Sequence, residues 1–148
     1  MSYQEKKNIV SLMSTVLIST IYFVYVLQRY QEVALNQTET FRFWGSAILI
    51  LIPVSIVAKI IIHIMFSIIN TIATKEKDPA FSDELDKLIE LKATKTSHYV
   101  FLLGFVLAMA SLVMNMQPSA MFIILFFSGF VAELAGIVTQ LYLYRKGV

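Results

Sequence analysis

The chain has 148 residues, of which 57% are hydrophobic and only 15% charged, and its mean hydropathy is +0.72. Soluble domains are about 45–50% apolar and about 25% charged, and a short chain has too little interior to hide such a surplus. The composition therefore excludes a soluble enzyme and a disordered tail, and it indicates an integral membrane protein. With no cysteine, disulfides and thiolate metal sites are also excluded.

Four segments approach the roughly 20 apolar residues that a helix needs to cross a bilayer. The predicted spans are residues 9–28, 43–73, 97–116 and 119–144. The second is too long for one upright span, so it has to tilt, kink near Pro53 or project past the membrane. The short turn at Met116–Ser119 predicts an antiparallel hairpin of the last two spans. We expect an all-α membrane protein: a four-transmembrane-helix bundle forming a single domain over residues 1–148.

The long loop 74–96 has a helix pattern of its own. Asp78-Pro79 marks a break, after which Ser82 or Asp83 is suited to cap a helix. One face of the following segment is apolar and carries Leu85, Leu88 and Ile89. This predicts a short cytoplasmic amphipathic helix between spans two and three, docked by those side chains on lipid headgroups or on the bundle end. That helix has no breaker before the third span and is able to run into it.

The basic residues are distributed unevenly between the two sides of this layout. Nine fall at the two termini and in the long loop: Lys6, Lys7, Lys75, Lys77, Lys87, Lys92, Lys95, Arg145 and Lys146. Only Arg29 and Arg42 fall on the opposite side. Because Lys and Arg concentrate in cytoplasmic loops, the bias predicts that both termini and the loop 74–96 are cytoplasmic.

The stretch from Ser82 to Tyr99, SDELDKLIELKATKTSHY, resembles a run found in an uncharacterised family of small prokaryotic four-span membrane proteins. In that family an acidic "DERDKLIE"-like run leads through a basic residue and an aromatic into the third transmembrane helix. Here Leu85 stands where the family has an arginine. The resemblance covers about 18 residues and the four-span layout. It implies a bacterial or archaeal inner membrane, and it implies no particular chemistry.

The second span carries three polar side chains on one stripe. At about 100° per residue, His63 lies about 40° and Asn70 about 20° from Lys59 around the helix axis. A charge in hydrocarbon costs on the order of 3 kcal/mol, so such a stripe is expected to face protein or water. In the alternative interpretation, Lys59 extends to the inner surface and His63 is simply interfacial.

Glu133 is the single charge of the fourth span, and Gln140 lies on the same face. It is interpreted either as a proton- or cation-binding carboxylate or as a structural partner for Lys59 or a hydroxyl. Lys59 is 15 residues beyond Trp44, about 22 Å of helix, and Glu133 is 14 residues beyond Ser119, about 21 Å. Since both spans start on the same side, the two charges lie at similar depth. We therefore predict that Lys59 and Glu133 meet directly or through one water, with His63 one turn nearer the cytoplasm.

Small residues at helical spacing in the last two spans predict close helix packing. They are Gly104, Ala108 and Ser111 in the third span, and Gly129 and Gly136 in the fourth. Such seams are typical of an ordered bundle or an oligomer rather than of a pore.

The chain contains no catalytic or nucleotide-binding motif, so we expect neither enzyme activity nor a cofactor nor a metal site. Its partners are expected to be the lipid bilayer and either further copies or another membrane protein, with no nucleic acid. The first hypothesis is a non-catalytic membrane protein that oligomerises or serves as an accessory subunit. The second is a small proton- or ion-coupled transporter or channel subunit that uses Lys59, His63 and Glu133. The third is a membrane sensor or regulator that acts through the loop 74–96.

Overall fold

A computed structural model describes residues 1–32, 36–75 and 83–147. It contains four α-helices: α1 (Tyr3–Glu32), α2 (Gln37–Thr74), α3 (Glu84–Val113) and α4 (Pro118–Lys146). Each is long and apolar enough to cross a membrane. The prediction of an all-helical, multi-pass membrane protein with four spans is therefore confirmed.

Local residue chemistry accounts for the helix ends. Asn36 caps α2 through the Glu39 amide, and the Glu39 carboxylate accepts from the Asn36 amide in return. Asp83 caps α3, whereas the other predicted cap, Ser82, and the Asp78-Pro79 break lie outside the described residues. The helix α2 ends where Lys75 adopts a left-handed conformation.

The helix α2 runs unbroken for 38 residues with Pro53 inside it. At 1.5 Å per residue it is about 57 Å long, well beyond the roughly 30 Å of a bilayer core. The helix continues through Pro53, and whether it tilts, kinks there or projects past the membrane stays a prediction.

The four helices run alternately up and down, so both termini lie at one end, which we call the basic end. There the Tyr144 hydroxyl donates to Asp86 at 2.7 Å, and Arg145 approaches Glu5 at 3.9 Å. The opposite end, the aromatic end, is formed by the rings of Tyr30, Phe43, Trp44 and Phe122. The helix α4 is central: it packs on α1, α2 and α3, whereas no Cα atom of α3 comes within 8 Å of α1 or α2 in the described ranges.

The predicted short amphipathic helix is not a separate element. Residues 84–113 form one continuous helix, so its residues are the first three turns of α3. Ile89 and Ala93 are 1% exposed, because this part of α3 packs against the last part of α4. Leu85 and Leu88 remain 43% and 41% exposed, so of the three predicted docking side chains only Ile89 is buried in the chain itself.

Candidate functional site

An ion pair joins α2 to α4 within their apolar lengths. The ammonium of Lys59 contacts the carboxylate of Glu133, as the comparison of their depths along the two spans predicts. Each charge thereby has a partner of opposite sign, which offsets the cost of leaving water. The pair is not sealed inside the bundle, since the Lys59 side chain is 26% exposed and that of Glu133 is 39% exposed.

Contacts nearer the aromatic end fix the position of α2, and thereby of Lys59. The Tyr22 hydroxyl of α1 donates to the carbonyl of Ala47, which is three helix turns from Lys59. The Trp44 ring lies parallel to that of Phe122 on α4, with centroids 6.4 Å apart, and is almost fully buried. These contacts hold one end of α2 against both α1 and α4, and the ion pair holds its middle against α4.

The pair borders a groove of about 370 Å³ that residues of all four helices line, and we call it the central groove. Its walls are mostly apolar. The residues that line it include Ser19 of α1, Ile52 and Ser55 of α2, Phe101 of α3, and Gly129 and Glu133 of α4. The central groove is therefore an apolar channel with one carboxylate on its wall, a setting that can hold an apolar ligand or helix and recognise one polar group on it.

The polar stripe of α2 does not converge on one site. Lys59 meets α4, whereas His63 lies in a second cleft against α1, together with Lys7 and Tyr3. The His63 Nδ1 atom is buried and has no hydrogen-bond partner in the described part of the chain. Asn70 is buried two turns further along α2, and its carbonyl accepts from the Thr74 hydroxyl. We name the second cleft the basic-end cleft and define it by Tyr3, Lys7, His63, Ile64, Ser67 and Ile68.

On α4, Gln140 is half-buried two turns beyond Glu133, toward the basic end. Five polar residues were predicted for this site, and in the described structure only two of them, Lys59 and Glu133, are in contact.

The predicted packing residues divide into two groups. Gly104, Ala108 and Ser111 of α3 lie at the contact with α4, where Ala108 is fully buried and Ser111 is 3% exposed. Gly136 lies on the same contact, and a Cβ there would be 3.4 Å from Ser97 Cβ. Gly129 is different, because a Cβ at that position would meet nothing within 4 Å and the residue opens onto the central groove. No helix of the described chain covers Gly129, so its packing against a neighbouring helix stays a prediction.

Sequence reasoning missed Ser128, which faces Gly104 at the closest approach of α3 and α4. It is a small residue one position before Gly129, on a face turned by about 100°, and the sequence prediction named only the glycine. It also missed the hydrogen bond from the Tyr144 hydroxyl to the Asp86 carboxylate. The sequence signal for it is a tyrosine near the end of one helix and an aspartate near the start of its antiparallel neighbour.

Within residues 1–32, 36–75 and 83–147, no three His, Cys, Asp or Glu side chains converge as a metal site would require. No family model, curated protein or solved structure matches this chain. The ion pair, the central groove and the basic-end cleft are thus the features that bear on function.

Proposed function

We propose that this is a non-catalytic multi-span membrane protein that works by assembling with a second transmembrane segment, first of all a second copy of itself. We place it in the cytoplasmic membrane of a prokaryote, with both termini and the loop 74–96 in the cytoplasm. The nine-to-two distribution of basic residues supports that orientation. The resemblance of residues 82–99 supports the prokaryotic source.

The observation that carries the proposal is the central groove with its partly exposed ion pair. A charge facing hydrocarbon is costly, so a groove of this kind is expected to be covered by protein or to hold water. Helices associate in a bilayer through close packing and polar contacts, and the central groove offers both an apolar channel and the Glu133 carboxylate.

A second copy is the occupant that the chain itself provides. The apolar window of α2 has no buried residue, and its outward surface is rich in isoleucine. Each molecule therefore offers both an unfilled groove and an apolar surface of α2 that no other described helix covers. In a twofold pair, the face of α2 that carries Ile52 packs into the groove of the other copy, and paired identical surfaces are the commonest form of oligomer.

Dimer formation is tested at two isoleucines of α2 that point to different sides of the helix and have nearly the same exposed fraction. Ile52 lines the central groove and Ile50 points about 160° away, with exposed fractions of 53% and 54%. We expect native mass spectrometry from lipid nanodiscs to give dimers for the wild type and for Ile50→Trp. We expect mainly monomers for Ile52→Trp, because the indole occupies the groove.

A monomeric wild type would overturn the homo-oligomer. The homo-oligomer would also be overturned if Ile52→Trp and Ile50→Trp gave equal fractions of dimer. A different membrane protein bound by the wild type and lost in Ile52→Trp would replace the second copy by a heterologous partner.

A second candidate function is a proton- or ion-coupled transporter or channel subunit. The specific observation in its favour is a carboxylate and an ammonium paired within the spans, with His63 one helix turn nearer the basic end. This candidate expects flux of protons or cations into liposomes that contain the wild type, reduced at least about tenfold by Glu133→Gln, since the carboxylate is the group that would bind the ion. Equal flux with wild type and variant excludes it.

A further inference from the structure

We propose that the basic-end cleft binds the phosphate of an anionic phospholipid headgroup. The cleft lies between the first turns of α1 and the last third of α2 and has a volume of about 300 Å³. Its polar members come from both helices, and a ligand seated there would contact α1 and α2 together.

The side chains in the cleft match the chemistry of a phosphate. Lys7 supplies a cationic donor that is exposed at the surface and has no carboxylate partner in the described part of the chain. The His63 imidazole lines the same cleft. Its Nδ1 atom is shielded and has no hydrogen-bond partner among the described residues, so a phosphate oxygen would meet the ring at the edge that lines the cleft. An ammonium and an imidazole on facing helices are suited to hold one phosphate oxygen each.

The depth of the cleft matches the headgroup region rather than the hydrocarbon. Counting from Trp44 at the aromatic end, about 20 residues of helix cover the roughly 30 Å of a bilayer core and end near Ile64. His63 and Ser67 therefore lie where the phosphates of the inner leaflet are found. The apolar members Ile64 and Ile68 are placed to contact the start of an acyl chain, which a free phosphate ion does not possess.

Charge near the cleft favours an anionic lipid over a zwitterionic one. The nearest carboxylate on α1, Glu5, accepts from Ser2 and lies 3.9 Å from Arg145. Among the described residues, this end carries eight Lys or Arg side chains against five Asp or Glu side chains, and each lysine near an anionic surface adds about 1 kcal/mol of attraction. A choline headgroup would bring its own cation toward Lys7, whereas a glycerol headgroup leaves the phosphate charge uncompensated.

The experiment titrates phosphatidylglycerol into the detergent-purified protein, in micelles that otherwise contain phosphatidylcholine, and records the unfolding temperature. We expect the temperature to rise and then saturate for the wild type. For Lys7→Gln and for His63→Leu, the amount of phosphatidylglycerol needed for half the rise should increase about tenfold, because each variant loses a hydrogen bond to a charged group. The matched control is Lys92→Gln, which removes an exposed lysine of α3 at the same end and should behave as the wild type.

Two further arms decide the source of the phosphate. Inorganic phosphate at the same concentration should leave the unfolding temperature unchanged, and an equal rise with inorganic phosphate would overturn the lipid as ligand. Equal rises with additional phosphatidylcholine and with phosphatidylglycerol would overturn the proposal. A Lys7→Gln titration that matches that of Lys92→Gln would overturn it as well. Because Lys7 is exposed, its variant is expected to fold, so the comparison does not depend on the His63 variant.

Discussion

Removal of one member of the Lys59–Glu133 pair is expected to destabilise the protein more per residue than removal of both. In Lys59→Met the carboxylate loses its counter-charge, and in Glu133→Gln the ammonium does, in a region where an unpaired charge is costly. We expect each single variant to lose about 2–3 kcal/mol of unfolding free energy. The double variant leaves no charge unpaired, so its loss should fall short of the sum of the single losses by at least about 1 kcal/mol.

The measurement is a denaturant titration of the four proteins in one mild detergent. Lys92→Met serves as the control for removal of a lysine, and we expect it to change the free energy by less than about 0.5 kcal/mol. If the losses of the two single variants simply add up in the double variant, the groups do not interact energetically, and Lys59 instead reaches the surface by itself.

The second large effect is expected at Gly104. A Cβ at this position would overlap the Ser128 side chain and come within 3.2 Å of Ser128 Cα, and backbone cannot yield as a flexible side chain can. The antiparallel helices α3 and α4 would have to separate where Ala108 and Ser111 are also buried. We expect Gly104→Ala to cost about 2–3 kcal/mol, measured in the same titration.

Gly129→Ala is the matched control on α4. Its Cβ meets nothing within 4 Å, so the better helix propensity of alanine should leave stability unchanged or raise it by up to about 1 kcal/mol. The double variant Gly104→Ala with Ser128→Gly should regain much of the loss, because it moves the small residue to the other helix. Equal losses for Gly104→Ala and Gly129→Ala would mean that the α3–α4 approach does not control stability.

The spans and the ion pair are the parts that the sequence predicts well, and the reason is physical. Continuous apolar length determines where a helix crosses a bilayer, and the four helices contain the four predicted spans apart from the last residues of the third, where the turn begins. Depth is a matter of counting residues from a helix start, and this predicts that Lys59 and Glu133 meet. The pairing also depends on the polar stripes of the two spans, because an unpaired charge in hydrocarbon is costly.

Several features that sequence reasoning missed depend on which helix faces are in contact. The sequence left open whether the short helix ends before the third span or runs into it, and residues 84–113, which contain no proline, form one helix. Spans that are apolar all round also do not reveal which helix is central, so the role of α4 was not predicted. For the same reason the choice between Ser128 and Gly129 as the contact residue required the structure.

The order of the helices along the chain has a consequence for biosynthesis. Lys59 is made 74 residues before Glu133, which corresponds to about 4–15 s at a synthesis rate of about 5–20 residues per second. During that interval α2 has left the ribosome while the counter-charge does not yet exist. About 22 Å from Trp44, Lys59 is only about 8 Å from the basic-end edge of a 30 Å core, a distance that its alkyl chain nearly covers. A lysine at this depth can keep its ammonium hydrated while the last hairpin is being synthesised, and then exchange water for the carboxylate of Glu133 when α4 inserts.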